Sequence, residues 1–267
     1  MRDPIYDKIG HSYASCRQAD PRIVDRIVDL LDLPSGSIIA DIGAGTGNYS
    51  RALADRGMRM KAVEPSSVMR AQAASHPGVE FVSGFAENIP LPDGSVDGVI
   101  SVVASHHFSS LSDAFAEMAR ICDAGPIVLF TFDPREVARP WFADYFPTLW
   151  ESAYDIFPAL SDIACLLEQR TKRTTTVHIF EMPHDLQDQV AAAGWHKPEL
   201  YLDPTFRACN SAFALADQAV VERGVEQLRR DLDSGEWEEQ HASLREQESM
   251  DLGYRLLCAK QAIVHIG

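Results

Sequence analysis

Residues 38–47 read Ile-Ile-Ala-Asp-Ile-Gly-Ala-Gly-Thr-Gly, an apolar run broken by one acid and closed by three alternating glycines. The next apolar segment, Met60-Lys61-Ala62-Val63-Glu64, also ends on an acid. A short buried strand, a tight glycine turn and a following helix make a crevice at the strand's carboxyl end, where open α/β sheets bind nucleotides. Glycine suits that place because the turn needs unusual φ values and a ligand must approach bare backbone. From the tip of the second strand, Glu64 would stand at the depth of two ribose hydroxyls.

Outward from this stretch, the chain alternates strand and helix signals. Asp20 and Pro21 form an N-cap and first helical position, and Ile23, Ile27, Leu30 and Leu31 supply an apolar face that ends at Pro34-Ser35-Gly36. Strands are expected at 37–42, 60–64, 79–83, 96–103 and 127–132. Helices are expected at 48–56, closed by Gly57, at 67–75, and around Phe115, Met118, Ala119 and Cys122. This alternation predicts an α/β fold with a parallel, doubly wound sheet.

The pattern changes after Asp133-Pro134. Trp141, Phe142, Tyr145, Phe146, Trp150, Tyr154 and Phe157 form the densest aromatic cluster of the chain. Residues 174–181 are β-branched and strand-like, Val221, Val225, Leu228 and Leu232 recur at helical spacing in an acidic segment at 220–251, and 254–264 reads as a last apolar strand.

The glycine turn departs from both common phosphate-binding patterns. A dinucleotide fingerprint places a third glycine where this chain has Asn48, and no Lys-Ser or Lys-Thr pair follows to make a phosphate loop. Asp41 beside the turn would repel a pyrophosphate and suits a ligand with a cationic or hydroxylated end.

The stretch from 6 to 133 resembles the class I S-adenosylmethionine-dependent methyltransferases, of the bacterial small-molecule type with a type 11-like domain. Asp41-Ile42-Gly43-Ala44-Gly45-Thr46-Gly47 looks like the family's first motif and Val63-Glu64-Pro65-Ser66 like its second. Residues 84–97 are similar to its third-strand loop and fourth-strand entry, and Ser101 to Phe108, ending His106-His107-Phe108, to the end of its fourth strand. The resemblance implies a Rossmann-like, doubly wound, seven-stranded sheet, mostly parallel with an antiparallel last strand, plus helical insertions. It places the sixth strand near 174–181 and the seventh near 254–264. The domain reading is a cofactor-binding core with an N-terminal lid at 1–135, an aromatic-rich helical insertion at 136–172, and completion of the sheet with an acidic helical insertion at 173–267.

The resemblance also implies roles. Asp41 would accept from the methionine ammonium through water, or fix the turn. Gly43, Ala44, Gly45 and Gly47 would line the cofactor, and Glu64, followed by Pro65 and Ser66, would take the ribose hydroxyls. Ala86 and Glu87 would position adenine. Phe85 stands where the family often has an aspartate, so it either packs on the ring or serves the core. Ser101 and Val102, at the end of the fourth strand, would also be cofactor-binding positions. Tyr13 and Arg17 sit four residues apart in a lid-like segment that opens Tyr6-Asp7-x-Ile9. There Arg17 would pair with the cofactor carboxylate or make a surface salt bridge.

His106 is the candidate general base, since a near-neutral imidazole suits a hydroxyl, amine or carbon acid. The same His-His pair occurs in relatives with differing substrates, which favours packing or cofactor shaping. The aromatic cluster is read equally as a substrate wall and as core.

The formal charge of 24 minus 39, or −15, argues against a nucleic-acid substrate, whose binders carry a basic face. Five widely spaced cysteines without a Cys-x-x-Cys pair suggest reduced thiols and neither zinc nor disulfides. No signal peptide or membrane-length apolar run is evident, and a cytoplasmic protein is expected. The sequence reading is thus a methyltransferase of an unidentified small molecule, with S-adenosylmethionine as cofactor and an undetermined oligomeric state. The alternatives are a nicotinamide-dependent oxidoreductase, a non-catalytic cofactor-binding relative, and a protein or RNA methyltransferase.

Overall fold

The computed structural model describes residues 17–261. Its strands are β1 (Ile38–Ile42), β2 (Arg59–Val63), β3 (Val79–Val82), β4 (Gly98–Val102), β5 (Ile127–Phe132), β6 (Thr174–Pro183) and β7 (Ser249–Lys260). They form one sheet in the order β3-β2-β1-β4-β5-β7-β6. The first five run parallel, and β7 lies antiparallel between β5 and β6. The expected Rossmann-like sheet is therefore present. Strand order reverses between β1 and β4, which opens a crevice at their carboxyl ends.

Both faces of the sheet are covered, which is why β4 and β5 read as nearly continuous apolar runs. Ile100, Val128 and Phe130 join one buried cluster, while Val99, Ile127 and Leu129 join the other. This is the two-residue alternation of a strand packed on both sides. The first cluster is filled by helix α1 (Pro21–Leu31) through Ile23, Val24, Ile27 and Leu31, and by Leu53 of α2 (Asn48–Asp55). Asp20 caps α1 as expected, its side chain accepting from the Arg22 amide at 2.9 Å. Beyond the short α3 (Ser67–Ala71), α4 (Leu111–Ile121) packs Phe115 and Met118 into the second cluster.

The later part of the chain folds onto the same sheet. Helices α5 (Phe142–Tyr145) and α6 (Pro147–Ile156) bring Ala143 and Trp150 respectively to the first cluster, and α7 (Leu160–Thr171) brings Ile163 and Leu167 to the second. Next come α8 (Pro204–Ala208), α9 (Ser211–Leu215), α10 (Gln218–Ser234) and α11 (Glu236–His241). Trp141, Trp195 and Trp237 share the first cluster with Ile23 and Leu53.

Four expectations are corrected. Helix α3 ends at Ala71 and not at 75, since Gln72 already caps its last turn. The seventh strand begins at Ser249, because pairing of Ser249, Met250 and Asp251 with β6 extends it through residues that are not an apolar run. The acidic stretch at 220–251 is divided. Gly235, at φ +84°, separates α10 from α11, and residues 249–251 belong to β7. Finally, Cys122, Cys165 and Cys258 are free thiols, but Cys209 is disulfide-bonded. Disulfide formation depends on spatial approach, which sequence spacing does not report.

Candidate active site

The site is built on the carboxyl end of β1. Gly43 and Gly45 take φ values of +78° and +58°, and a Cβ on Gly43 would lie 2.6 Å from that of Ala104. The Gly43 and Ala44 amides donate to the Val63 carbonyl at 2.9 and 3.1 Å, tying the turn to β2. Glu64, just past β2, accepts from the Gly45 amide through Oε2 at 2.9 Å and from the Ser66 amide through Oε1 at 2.8 Å. Its carboxylate is thereby fixed at the mouth of the crevice.

Asp41 lies one strand away and is buried. Ser50 donates to its Oδ2 at 2.6 Å. Burial raises the Asp41 carboxyl to about 7, the Ser50 hydroxyl opposing and the Glu64 charge reinforcing the rise. A carboxyl so placed is ionised most readily when a cation sits beside it.

A cavity of about 790 Å³ opens above these residues. Of the residues expected from sequence, Arg17, Asp41, Gly43, Ala44, Gly45, Glu64, Pro65, Ala86, Glu87, Val102 and His106 line it. Tyr13 lies outside the described residues. Gly47, Ser66 and Ser101 do not line it. Gly47 begins α2, where an added Cβ would meet Phe81 Cζ at 2.6 Å, so its missing side chain makes room for a ring. Ser66 caps α3 by accepting from the Met69 amide, and the Ser101 hydroxyl donates to the Ile42 carbonyl at 2.8 Å inside the sheet.

Two of these lining residues also have partners within the chain. Glu87 Oε1 accepts from the Ser109 and Ser110 amides, which anchors the start of α4. Arg17 forms a two-point pair with Asp188, Nη2 to Oδ2 at 3.0 Å, and is not a surface bridge because Asp188 is fully buried. Tyr49 completes the group, its hydroxyl donating to Asp188 Oδ2 at 2.9 Å. Asp188, Tyr49 and Ser50 were missed in sequence because none lies in a motif. Only the apolar face of α2 hinted that Tyr49 points inward.

The cavity fits S-adenosylmethionine, the cofactor of the resembling family. Its acids are Asp41, Glu64, Glu87 and Asp188, against one arginine already paired. That balance favours an ammonium or sulfonium and opposes a pyrophosphate. The buried Thr46 Oγ1, also on the wall, has no hydrogen-bond partner among the described residues.

At the end of β4 the chain makes a strained exit. Val103 takes φ +48°, a rare conformation for a β-branched residue and a form of strain that concentrates at functional sites. The following 3₁₀ turn, Ser105–His107, presents His106. Its ring lies 3.8 Å from that of His107 and 4.3 Å from that of Phe157, and its Nδ1 has no hydrogen-bond partner among the described residues. Desolvation, reinforced by His107 and Arg17, holds its pKa well below the ordinary imidazole value, so it stays neutral.

Arg17, Val103, His106 and His107 also line a second cavity of about 530 Å³. Phe142, Phe146, Trp150 and Phe157 of the aromatic segment wall it, with Phe132, Tyr201, Phe213 and Tyr254. Trp141 and Tyr145 serve the core instead. Trp141 packs against Trp237 and donates to the Trp195 carbonyl at 2.8 Å, and Tyr145 donates to Asp231. The aromatic cluster is thus part wall and part core.

Sheet order, glycine turn and acidic strand tip are those of a methyltransferase, and the comparisons agree. A family model described as a methyltransferase domain matches residues 40–130. A crystal structure described as "Putative methyltransferase from antibiotic biosynthesis pathway", from Anabaena variabilis, is 52% identical, covers 92% of this chain and 99% of that one, and superposes with a TM-score of 0.90. The chain belongs to the class I S-adenosylmethionine-dependent methyltransferases. Among curated relatives, malonyl-[acyl-carrier protein] O-methyltransferase of Serratia marcescens is 28% identical over 130 residues, 47% of this chain and 50% of that protein. Demethylmenaquinone methyltransferase of Renibacterium salmoninarum is 23% identical over 201 residues, 75% and 81% of the two. The chain spans about half the length of the first curated relatives it matches.

Proposed function

We propose that the chain binds S-adenosylmethionine in the first cavity and methylates a small molecule held in the second. The observation that carries this reading is the wall common to both cavities, formed by Arg17, Val103, His106 and His107 at the sheet's carboxyl edge. Glu64 would take the ribose hydroxyls, Asp41 the ammonium side, and Ala86 with Phe85 the adenine end. Gly43, Ala44 and Gly45 would offer bare backbone. Arg17, oriented by Asp188 and Tyr49, would meet the cofactor carboxylate where the two cavities join.

When bound, S-adenosylmethionine supplies an electrophilic methyl group whose bond to sulfur breaks, with its electron pair going to sulfur, as an acceptor lone pair bonds the carbon. The protein's part is to exclude water and hold the nucleophile about 3 Å away and in line. Neutral His106 can accept the proton that a hydroxyl or amine acceptor releases. The names of the relatives span unlike acceptors, so the shared cofactor half supports the reaction class and leaves the acceptor to the later segments.

Calorimetric titration with S-adenosylhomocysteine tests the reading. The wild-type protein should bind it. Glu64→Ala should bind about a hundredfold more weakly, the loss of two charge-assisted hydrogen bonds of about 1.5 kcal/mol each. Its circular dichroism should be unchanged, because Glu64 and Gly45 line the cavity and water entering the vacated space can satisfy the Gly45 amide. A wild-type protein that gives no heat overturns the proposal.

A further inference from the structure

The second cavity has an unusual charge inventory for a site that must orient a substrate. Among the described residues that line it, Arg17 alone carries a formal charge, and that charge is met by the buried Asp188 carboxylate. Desolvation pushes both His106 and His107 below the ordinary imidazole value, so neither supplies a cation near neutrality. Burial pushes the Tyr201 and Tyr254 hydroxyls up, so neither supplies an anion. What remains is largely aromatic wall, in which the Phe146 ring lies 5.5 Å from that of Tyr201 and 5.2 Å from that of Phe213, with Trp150 also lining the space.

A carboxylate or phosphate entering this space would lose its water without meeting an uncommitted cation among the described residues, which is costly for a charged group. A ring system would lose little and would gain contact with flat aromatic faces. We propose that the acceptor is a neutral, ring-bearing apolar molecule whose hydroxyl or amine reaches the shared wall at His106. In the transfer, the acceptor's lone pair forms the bond to the methyl carbon, the sulfur keeps the electron pair of the bond that breaks, and the acceptor's proton leaves by His106 to water. This inference rests on the methyltransferase reading and narrows its substrate class.

The test is a matched pair of probes, 2-naphthol and 2-naphthoate, titrated calorimetrically at neutral pH into protein saturated with S-adenosylhomocysteine. One probe is neutral and the other ionised on the same ring system. The neutral probe should bind at least tenfold more tightly. Ser152 lies on the wall within α6, and lysine is a good helix former there. Ser152→Lys should therefore narrow or reverse the preference by supplying the missing cation. Equal or tighter binding of the carboxylate by the wild type overturns the inference, as does binding of neither probe. Failure of the underlying reading is distinguishable, since the first titration with S-adenosylhomocysteine would itself give no heat.

Discussion

Asp41 and Glu64 end neighbouring strands, yet their surroundings set them different tasks. Glu64 is held ready by two backbone amides, whereas Asp41 has one serine hydroxyl and a carboxyl raised to about 7 by burial. The sign of the pH effect follows. Unfolded, Asp41 titrates near its ordinary value of 3.8, so the folded state holds the extra proton between that value and about 7. The stability this contributes is complete below the lower value and is lost as pH rises through the upper one. A ligand ammonium reverses the preference by favouring the anion. Affinity for S-adenosylhomocysteine should therefore rise severalfold between roughly pH 6 and 8, with release of a proton on binding, and Asp41→Asn should flatten the profile. Calorimetry in buffers of different ionisation enthalpy counts that proton, and a count of zero near neutrality would refute the assignment. His106 remains neutral across this range and cannot produce the effect. His106→Ala should leave S-adenosylhomocysteine affinity unchanged within about twofold while lowering turnover of a hydroxyl acceptor by about a hundredfold or more. Normal turnover in that variant would remove the imidazole from the chemistry.

Among the elements, the turn from β1 into α2 separates one glycine that packs against a ring from two that line the cavity. Gly43 and Gly45 face the cavity, but Gly47 opens α2 at φ +73°, where an added Cβ would strike the Phe81 ring. The motif alone could not separate these roles, because all three residues sit in one heptapeptide. Gly47→Ala should cost about 2 kcal/mol from the left-handed backbone and the ring clash, lowering Tm by roughly 4–8 °C. Phe81→Leu in the same background should recover part of the loss, and additive effects in a double-mutant cycle would show that the ring is not the cause. The pairing of β6 with β7 teaches a related lesson. Residues 249–251 look polar and loop-like, yet they pair with Glu181, Met182 and Pro183 because the partner strand offers a free ladder. Backbone pairing recruited them where side-chain pattern did not.

For the molecule as a whole, the sheet's switch point and the acidic balance of its cavity predict ligand choice. S-adenosylhomocysteine at a hundredfold excess over its Kd should stabilise the native state by about 2.7 kcal/mol and raise Tm accordingly. NAD should give no shift, since Asn48 replaces the third glycine and Asp41 faces the place a pyrophosphate would need. An equal shift with NAD would revive the oxidoreductase reading. The alternation of strands and helices to β5, the glycine turn and the Glu64 tip were all readable in the chain, because each is a contiguous pattern whose local physics repeats wherever the sheet occurs. The edges of α3 and β7, the pairing of Cys209 and the division of the acidic segment were not, because each depends on what packs or pairs alongside. The amino-acid sequence by itself determined the doubly wound sheet and the glycine turn and acid that line its first cavity, since strand, turn and acid lie within 27 residues of one another. Only the tertiary structure decided that Arg17 and Tyr49 both meet Asp188, and that residues as distant as Val103, Phe157, Phe213 and Tyr254 enclose one apolar cavity. Those contacts join parts of the chain brought together by burial of a common core, and no local pattern encodes which distant partners that burial selects.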